Sequence, residues 1–310
     1  MIYSFLQCGI LRFLFVILRM VETVKQKRSY RRRGSPDLLI SVYFCDKDSI
    51  LYNPIPEYHP ETEIVRVDKG YLIIQLGGVS HIFHAGDIFV IPSNIVHHYS
   101  HASEDAKYCS LIFSPEAIAM QSNHFFQKSF VQPLAEDRLQ LPAMIQPGHP
   151  IYDGVSAQFD TLPNAHMFTK DYQVRRFSAL MNICLLLLPY CTIVSESRPP
   201  LDPGNDAVRA CMRYIHSRYF QKITLEELAA HCHLHPNYLC SLFKTYTGQT
   251  IFEYLARFRI ETAAELLKNE DLPASKICTL VGFHSESTFF SKFKAIMGIT
   301  PKAYAKQHRI

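Results

Sequence analysis

The 310-residue sequence predicts an α+β protein with a small β-barrel in its amino-terminal half, helices flanking it, and an all-α carboxyl-terminal third. Three observations predict this class. Short runs of β-branched and aromatic residues, broken by Gly, Pro and Asp, lie between residues 36 and 113. The segment SESRPPLDPGN, residues 195–205, is rich in proline and polar residues, which is typical of a linker. A pattern of helix stops and starts then occurs twice.

These boundaries divide the chain into five predicted regions. Residues 1–34 form a basic and apolar leader, for which we expect an upstream start codon or disorder. Residues 35–120 are predicted to form the barrel, and residues 121–194 a helical region. The linker at 195–205 precedes a helical domain at 206–310.

The leader begins with an apolar run, MIYSFLQCGILRFLFVILR, that suggests a signal peptide or a membrane anchor. Arg12 and Arg19 interrupt this run, it is shorter than the roughly 20 residues that span a bilayer, and no small-residue cleavage site follows. We therefore expect no membrane partner, although a targeting role stays open. The KQKRSYRRR run after it could contact nucleic acid or lipid, or be a solvated tail.

The distribution of charge indicates which part meets a polyanion. Residues 1–34 carry eight Lys or Arg against one acid, residues 35–204 ten against eighteen, and residues 205–310 fourteen against nine. The basic carboxyl-terminal third beside an acidic middle suggests that only the former binds nucleic acid. The nine cysteines form no C-x-x-C pair, which argues against a disulfide framework and favours the reducing cytoplasm.

The longest candidate helix before the linker runs from Asp171 to Pro189. Its apolar residues recur at steps of three and four: Phe177, Leu180, Met181, Cys184, Leu187 and Leu188. Such a stripe must be covered. Packing on the barrel and pairing in a dimer explain it equally well.

The carboxyl-terminal third contains an internal repeat. Six residue types recur 50 positions apart: Ser241 and Ser291, Phe243 and Phe293, Lys244 and Lys294, Gly248 and Gly298, Thr250 and Thr300, and Tyr254 and Tyr304. Upstream, Leu228 and Ala229 fall opposite Ile277 and Cys278 with one residue of slippage. Each copy is therefore predicted to be a helix, a tight turn and a second helix, the unit that places one helix in a DNA major groove.

Local chemistry predicts where these helices begin and end. Thr224 and Glu227 form a predicted capping box, and Pro236 suits a first helical position after His235. In the second copy, Pro273 opens the first helix and Ser285 caps the next.

Gly282 supplies the positive φ of the turn in the second copy, and His233 takes its place in the first. The HCHLH run at 231–235 is therefore interpreted as a turn rather than a zinc site. Between the copies, residues 250–269 predict a helix of roughly 30 Å, close to the spacing of successive major grooves.

The outward positions of each second helix are the candidates for base contact. They are Pro236, Asn237, Cys240 and Ser241 in the first copy, and Ser285, Glu286, Ser287, Phe290 and Ser291 in the second. Asn237 could read adenine, Glu286 could accept from cytosine, and Phe290 could contact a thymine methyl. Phosphate contacts are predicted for Lys244, Lys294, Arg257 and Arg259. For each single cation, a solvated surface charge is an equally good explanation.

The last hundred residues resemble the AraC/XylS family of transcription regulators. The resemblance rests on LEELAAHCHLHPNYLCSLFKTYTG, YLARFRIETAAELL and VGFHSESTFFSKFKAIMGITPKAY. It implies two helix-turn-helix units that bind promoter DNA and contact RNA polymerase, usually to activate transcription.

The segment YHPETEIVRVDKGYLIIQLGGVSHIFHAGDIFVIPSNIVHHYS resembles the effector-sensing cupin barrel of many members of that family. KG at 69–70, GG at 77–78, AGD and IPSN are interpreted as its hairpin turns. The resemblance implies that residues 121–194 form a helical dimerisation region in a homodimer. It also implies a small-molecule effector, such as a sugar or a related metabolite.

Effector-binding residues are predicted at His59, Glu61, Glu63 and His97. No cofactor, metal or catalytic residue is predicted. The alternative is a metal-dependent cupin enzyme fused to a DNA-binding module, because such enzymes place two or three His and a Glu around a metal. Glu61 stands where those enzymes have a second histidine, which weakens this alternative.

Overall fold

The computed structural model describes residues 39–46, 55–162, 171–194 and 202–308. The expectations for the leader at 1–34 and for residues 195–201 of the linker lie outside the described residues. Within the described ranges, no helix combines the length and the apolar character needed to cross a membrane.

Two antiparallel sheets face one another in the amino-terminal half. Their main strands are β1 (Ile40–Asp46), β2 (Thr62–Lys69), β3 (Tyr71–Leu76), β4 (Val79–His84), β5 (Ile88–Ile91), β6 (His97–Ala102) and β7 (Lys107–Phe113). Three two-residue strands follow, β8 (Leu139–Gln140), β9 (Met144–Ile145) and β10 (Thr192–Ile193). One sheet has the order β1-β7-β2-β5-β9 and the other the order β4-β3-β6, while β10 pairs with β8.

Strand β2 is buried on both faces, and its alternation places its residues in two different cores. Val65 and Val67 point between the sheets and join an inner core with Leu72, Phe89 and other residues. Ile64 belongs to an outer core that the helices of the amino-terminal half cover. Glu63 shares the parity of Val65 and Val67, so its carboxylate points into the barrel.

Of the four predicted hairpin turns, one is a hairpin. Gly77 and Gly78 have φ of 55° and 82° and join β3 to its antiparallel neighbour β4, as a two-residue turn requires. The predictions for KG at 69–70, AGD at 85–87 and IPSN at 91–94 are wrong, because the strands that these turns join belong to different sheets. Turn residues show that the chain reverses but not which strands pair.

The ten α-helices of the described residues lie mainly after the barrel. They are α1 (Gln132–Ala135), α2 (Tyr152–Thr161), α3 (Tyr172–Leu187), α4 (Pro203–Arg218), α5 (Leu225–His231), α6 (Pro236–Thr247), α7 (Ile251–Asn269), α8 (Ala274–Leu280), α9 (Glu286–Met297) and α10 (Pro301–His308). Short 3-10 helices span Pro115–Ile118 and Leu188–Tyr190, and a π-helix spans Gln127–Val131.

Helix α3 confirms the predicted helix after Asp171, and most of its apolar stripe packs on the barrel. Leu180, Cys184 and Leu187 are buried in the outer core of the barrel. Phe177 is 41% exposed on another face, together with Val174 and Leu185. One face of α3 is therefore packed and another leaves apolar side chains at the surface.

The predicted helix boundaries in the carboxyl-terminal third are confirmed. Thr224 and Glu227 form a capping box at α5, and Thr250 and Glu253 form a second one at α7. The linker prediction is wrong at its end, because Asp202 caps α4 and Pro203 occupies its first turn. Proline is well accommodated there, since the missing N–H has no partner within the helix.

Candidate functional sites

The two predicted base-reading helices, α6 and α9, are built alike, and we call them the reading helices. His235 caps α6 through Nδ1, which accepts from the Asn237 amide, and Ser285 caps α9 through Oγ, which accepts from the Thr288 amide. Both helices end at a glycine in the left-handed conformation, Gly248 with φ 70° and Gly298 with φ 76°.

The turn before each reading helix is also matched. His233 and Gly282 both adopt positive φ, at 54° and 88°. The sequence prediction that histidine replaces glycine in this conformation is confirmed. The backbone of the turn therefore has the same conformation in both copies, although the copies are shifted by one residue here and the residue in the turn differs.

The reading helices turn their predicted inward faces to one core. Leu239 and Phe243 of α6, and Phe289 and Phe293 of α9, are fully buried. The outward faces are exposed at Asn237, Ser241, Lys244, Glu286, Ser287, Phe290, Ser291 and Lys294. Ser285 is exposed at the helix cap. Within the described part of the chain, these side chains lie at the surface.

Two of the predicted base-contact residues lie on the flank of α6 rather than on its outer face. Pro236 and Cys240 are half-buried, and Cys240 packs against the helical core. At 3.6 residues per turn, Tyr238 lies on the opposite edge of the exposed face. Its side chain is 56% exposed, and the base-contact residues predicted from the sequence do not include it. The exposure of Tyr238 could have been predicted from the helical period, because it is one residue before buried Leu239 and three before exposed Ser241.

Arg259 has a structural role that the phosphate prediction did not anticipate. Its Nε donates to the Tyr219 carbonyl at 2.7 Å, and Nη2 donates to the Gln221 carbonyl at 2.7 Å. The guanidinium also lies over the Phe283 ring. Burial lowers the pKa of Arg259. Arg257 is half-buried and pairs with Glu261 at 3.4 Å, so Lys244 and Lys294 are the better phosphate candidates.

A second site, which we call the buried cluster, consists of His59, Glu63 and His97. Glu63 Oε2 lies 3.2 Å from His59 Nε2 and 3.7 Å from His97 Nε2. Glu63 Oε1 accepts from Ser110 Oγ at 2.5 Å and from Tyr99 Oη at 3.1 Å. The exposed fraction of Glu63 is 0% and that of His97 is 1%. A fully buried carboxylate of this kind requires such partners.

Both rings of the buried cluster are held by backbone carbonyls. His59 Nδ1 lies 3.0 Å from the Glu61 carbonyl oxygen, and His97 Nδ1 lies 2.9 Å from that of Ile95. A carbonyl oxygen only accepts, so each Nδ1 carries a hydrogen and each neutral ring presents an Nε2 lone pair. Burial, followed by the neighbouring His59, lowers the pKa of His97.

The predicted effector residue Glu61 lies outside the buried cluster. Its carboxylate approaches Nδ1 of His59 at 3.8 Å, the ring nitrogen opposite to the one that faces Glu63. Glu61 precedes β2, so strand alternation does not place it in the barrel. The structure thus brings together His59, Glu63 and His97 of the four predicted residues.

Residues 94–98, which we call the docking segment, join the barrel to the helical third. Asn205 of α4 accepts from the Val96 amide at 2.9 Å and donates to the Asn94 carbonyl at 3.0 Å. Arg209 Nη2 donates to Asn94 Oδ1 at 2.9 Å. The His98 ring lies against Gly248, because a Cβ there would be 3.2 Å from His98 Nε2.

Other contacts join the same two surfaces at the end of α6. Gln75 Nε2 donates to the Thr245 carbonyl at 2.6 Å, and a Cβ at Gly78 would be 3.1 Å from the Tyr246 ring. Burial, followed by the charge of His97, lowers the pKa of His98 to about 4, which keeps this ring neutral near pH 7. The barrel therefore holds the carboxyl-terminal end of α6 and leaves its outer face open.

Comparison with known proteins assigns both halves. Residues 228–307 match a family described as a helix-turn-helix domain, and residues 53–113 match the cupin domain family. The chain is 25% identical over 262 residues to the uncharacterized HTH-type transcriptional regulator YdeC of Bacillus subtilis, covering 83% of this chain and 87% of that protein.

Two other similarities each cover about a third of this chain. The chain is 32% identical over 105 residues to the regulatory protein PocR of Salmonella typhimurium, and spans 34% of its own length and 35% of PocR. The carboxyl-terminal domain of AraT, a response regulator from Geobacillus stearothermophilus, is 33% identical, and the match covers 34% of this chain and 87% of that one with a TM-score of 0.33.

The fold and the two matched domains define a DNA-binding protein with a double helix-turn-helix domain and a cupin domain. The helix-turn-helix domain is of the AraC type, and the relatives that this chain resembles are HTH-type transcriptional regulators. The names of its relatives are those of regulators rather than enzymes.

Proposed function

We propose that this regulator binds double-stranded promoter DNA through both reading helices and, as a homodimer, activates transcription under control of an effector bound in its barrel. Contact with RNA polymerase and a cytoplasmic location are part of this proposal. The observation that carries it is the matched exposure of α6 and α9 on one helical core. Helix α7 has 19 residues and spans about 28 Å, close to one turn of duplex.

The role of the two repeat lysines in phosphate binding can be measured from salt dependence. Each phosphate contact contributes about 0.9 to the slope of log affinity against log salt. We expect the double variant Lys244→Gln, Lys294→Gln to make this negative slope shallower by about 1.8, measured on a duplex selected from random sequences. Fluorescence anisotropy between low and moderate salt gives this slope.

A matched control is the double variant Lys107→Gln, Lys128→Gln, which removes the same charge from exposed positions of the barrel half. It should leave the salt slope within error of the wild-type value. Equal slopes for the wild type and the Lys244, Lys294 double variant would show that these lysines do not contact phosphate.

The exposed apolar side chains of α3 support the homodimer. Val174, Phe177 and Leu185 are 67%, 41% and 64% exposed at helical spacing. We expect Leu185→Glu to shift sedimentation velocity from dimer to monomer, because a carboxylate is costly to bury at such an interface. Gln173→Glu, at an exposed position of the same helix, is the control and should stay dimeric. A monomeric wild type would overturn the homodimer.

The enzyme alternative is less well supported than control by an effector. A catalytic metal site keeps an open position for substrate, whereas all three residues of the buried cluster are buried. A sugar is also poorly supported, because apolar and aromatic side chains such as Phe83, Phe89 and Tyr108 fill much of the inner core.

A further inference from the structure

We propose that Cys211 and Cys232 form a reversible disulfide when the protein meets a hydroperoxide, and that this bond weakens duplex binding through the first helix-turn-helix copy. The consequence for duplex binding rests on the proposed function, whereas the disulfide itself does not. Cys211 belongs to α4, and Cys232 directly follows α5, ahead of the turn into α6.

The packing of the turn on α4 brings the two sulfur atoms together. The Cys232 thiol donates to the Ala207 carbonyl at 3.6 Å. Ala207 lies four residues before Cys211 in the same helix, so its carbonyl also accepts the Cys211 amide. A helical side chain leans toward the helix N-terminus, which directs the Cys211 sulfur toward that of Cys232. The Cys211 thiol hydrogen-bonds to the Cys232 sulfur.

The two thiols differ as an attacking and a resolving cysteine differ. Cys211 is fully buried in the helical core, whereas Cys232 is half-buried beside the turn. The hydrogen bond from Cys211 lowers the pKa of Cys232 against the opposing effect of burial, and the charge of Arg213 adds to this. The same hydrogen bond, followed by burial, raises the pKa of Cys211. Because the thiolate is the reactive form of cysteine, Cys232 reacts first.

The second copy shows that the fold of the turn does not require a cysteine. With the one-residue slippage of the repeat, Val281 stands where the first copy has Cys232, and it is fully buried. Phe290 stands where the first copy has Cys240. Apolar side chains therefore suffice for packing. Among the described residues, the three sulfurs of the first copy do not converge as three metal ligands must, which leaves the pair as a site of oxidation.

Oxidation of the pair proceeds in two balanced steps. The Cys232 thiolate attacks one oxygen of the peroxide, the O–O bond breaks, and the sulfur becomes a sulfenic acid while hydroxide leaves and takes up the proton that Cys232 had released. The Cys211 sulfur then attacks the Cys232 sulfur, the S–O bond breaks, and the second hydroxide leaves with the Cys211 proton as water. Two thiols are oxidised to one disulfide, and one hydrogen peroxide is reduced to two waters.

The disulfide must move the turn relative to α4. Its two sulfurs lie about 2.05 Å apart, closer than in any hydrogen bond between thiols. Cys232 immediately precedes His233, whose positive φ sets the path of the chain into α6. Drawing this turn toward α4 changes the direction of α6 relative to α9, and base contacts depend on how each helix sits in its groove. Short-lived disulfides of cytoplasmic proteins are typically catalytic or redox-sensing.

The experiment treats the reduced full-length protein with hydrogen peroxide, blocks the remaining thiols and digests the product with trypsin. The peptide 210–213 contains Cys211, and the peptide 223–244 contains both Cys232 and Cys240. In the Cys240→Ser variant, a linked pair of these peptides therefore identifies the proposed disulfide. Mass spectrometry should find this pair after oxidation and lose it after dithiothreitol. Its absence from the oxidised sample would overturn the inference.

Further variants test the role of each sulfur. Cys232→Ser should give no linked pair, and a pair that persists there would assign the bond to Cys240 and overturn the pairing. Cys211→Ser keeps a donor to Cys232 but removes the resolving sulfur, so dimedone should trap Cys232 as a sulfenic acid. No dimedone adduct in a natively folded sample would overturn Cys232 as the residue that reacts first. Cys191→Ser, at another half-buried cysteine, is the matched control and should form the disulfide like the wild type.

Duplex binding by the same samples separates this inference from the proposed function. On a duplex selected with the reduced protein, oxidation should weaken binding by at least about fivefold, the loss of one base contact, and dithiothreitol should restore it. Cys232→Ser should bind equally well before and after peroxide. Disulfide formation without loss of affinity would overturn the effect on duplex binding. A reduced protein with no duplex preference would overturn the proposed function, and the mapped disulfide would stand.

Discussion

The two helix-turn-helix copies have the same local structure in different surroundings. Both reading helices end at a left-handed glycine, and Gly248 lies against His98 of the barrel. Gly298 has no atom within 4 Å of the position of a Cβ, counting only the described part of the chain. The first copy is therefore in contact with the barrel, and the second is open at the corresponding position.

This difference shows which copy the barrel can influence directly. The positive-φ turns and the left-handed terminal glycines follow from short-range chemistry and match in both copies. The hydrogen bonds that Gln75 and the docking segment make with the helical third, by contrast, reach α4 and the first copy's α6. A change in the barrel would reach α6 before α9. The comparison between the copies can be tested by equivalent substitutions.

The largest effect is expected from Gly282→Ala in the turn of the second copy. A Cβ would lie 2.6 Å from the Tyr219 carbonyl oxygen, and the φ of 88° strains any residue other than glycine. We expect the free energy of unfolding to fall by about 2 to 4 kcal/mol, measured by urea denaturation with far-UV circular dichroism.

His233→Gly is the matched change in the first copy and should have the opposite sign. It relieves the left-handed strain at φ 54° but increases the freedom of the unfolded chain. A gain of about 0.5 kcal/mol is expected. Loss of stability there would mean that the His233 side chain makes a contribution that the second copy lacks.

A smaller difference should separate Gly248→Ala from Gly298→Ala. Both substitutions carry the left-handed penalty of about 1 kcal/mol. Gly248→Ala must also displace His98, 3.2 Å away, so it should cost about 1 kcal/mol more in the same urea experiment. Equal costs would show that the barrel does not hold α6 in solution.

The helical third could be predicted from sequence because its signals are local. A cap, a first-turn proline and a left-handed glycine act within a few residues, and the repeat supplies an independent copy of each. For Arg259, the sequence did not reveal the carbonyl partners Tyr219 and Gln221, which lie about forty positions away. Such long-range contacts of an arginine produce no periodic pattern in the sequence, so they cannot be predicted from it.

The barrel could be predicted in outline but not in its site. Alternating strands gave the fold, while the pairing of strands between two sheets depended on contacts that turn residues do not encode. Glu61 and Glu63 look equivalent in sequence. Only Glu63 lies within β2, where alternation directs it inward to Ser110 and Tyr99.

The docking segment has a consequence for protein engineering. One way to engineer such a regulator is a chimaera in which another amino-terminal domain replaces its own at the junction between the domains. Here a fusion at residue 202 would bring Asn205 and Arg209 without their acceptors and donors on Asn94 and Val96. A functional hybrid would need residues 94–98 grafted into the incoming barrel, because this segment carries the hydrogen-bond partners of Asn205 and Arg209.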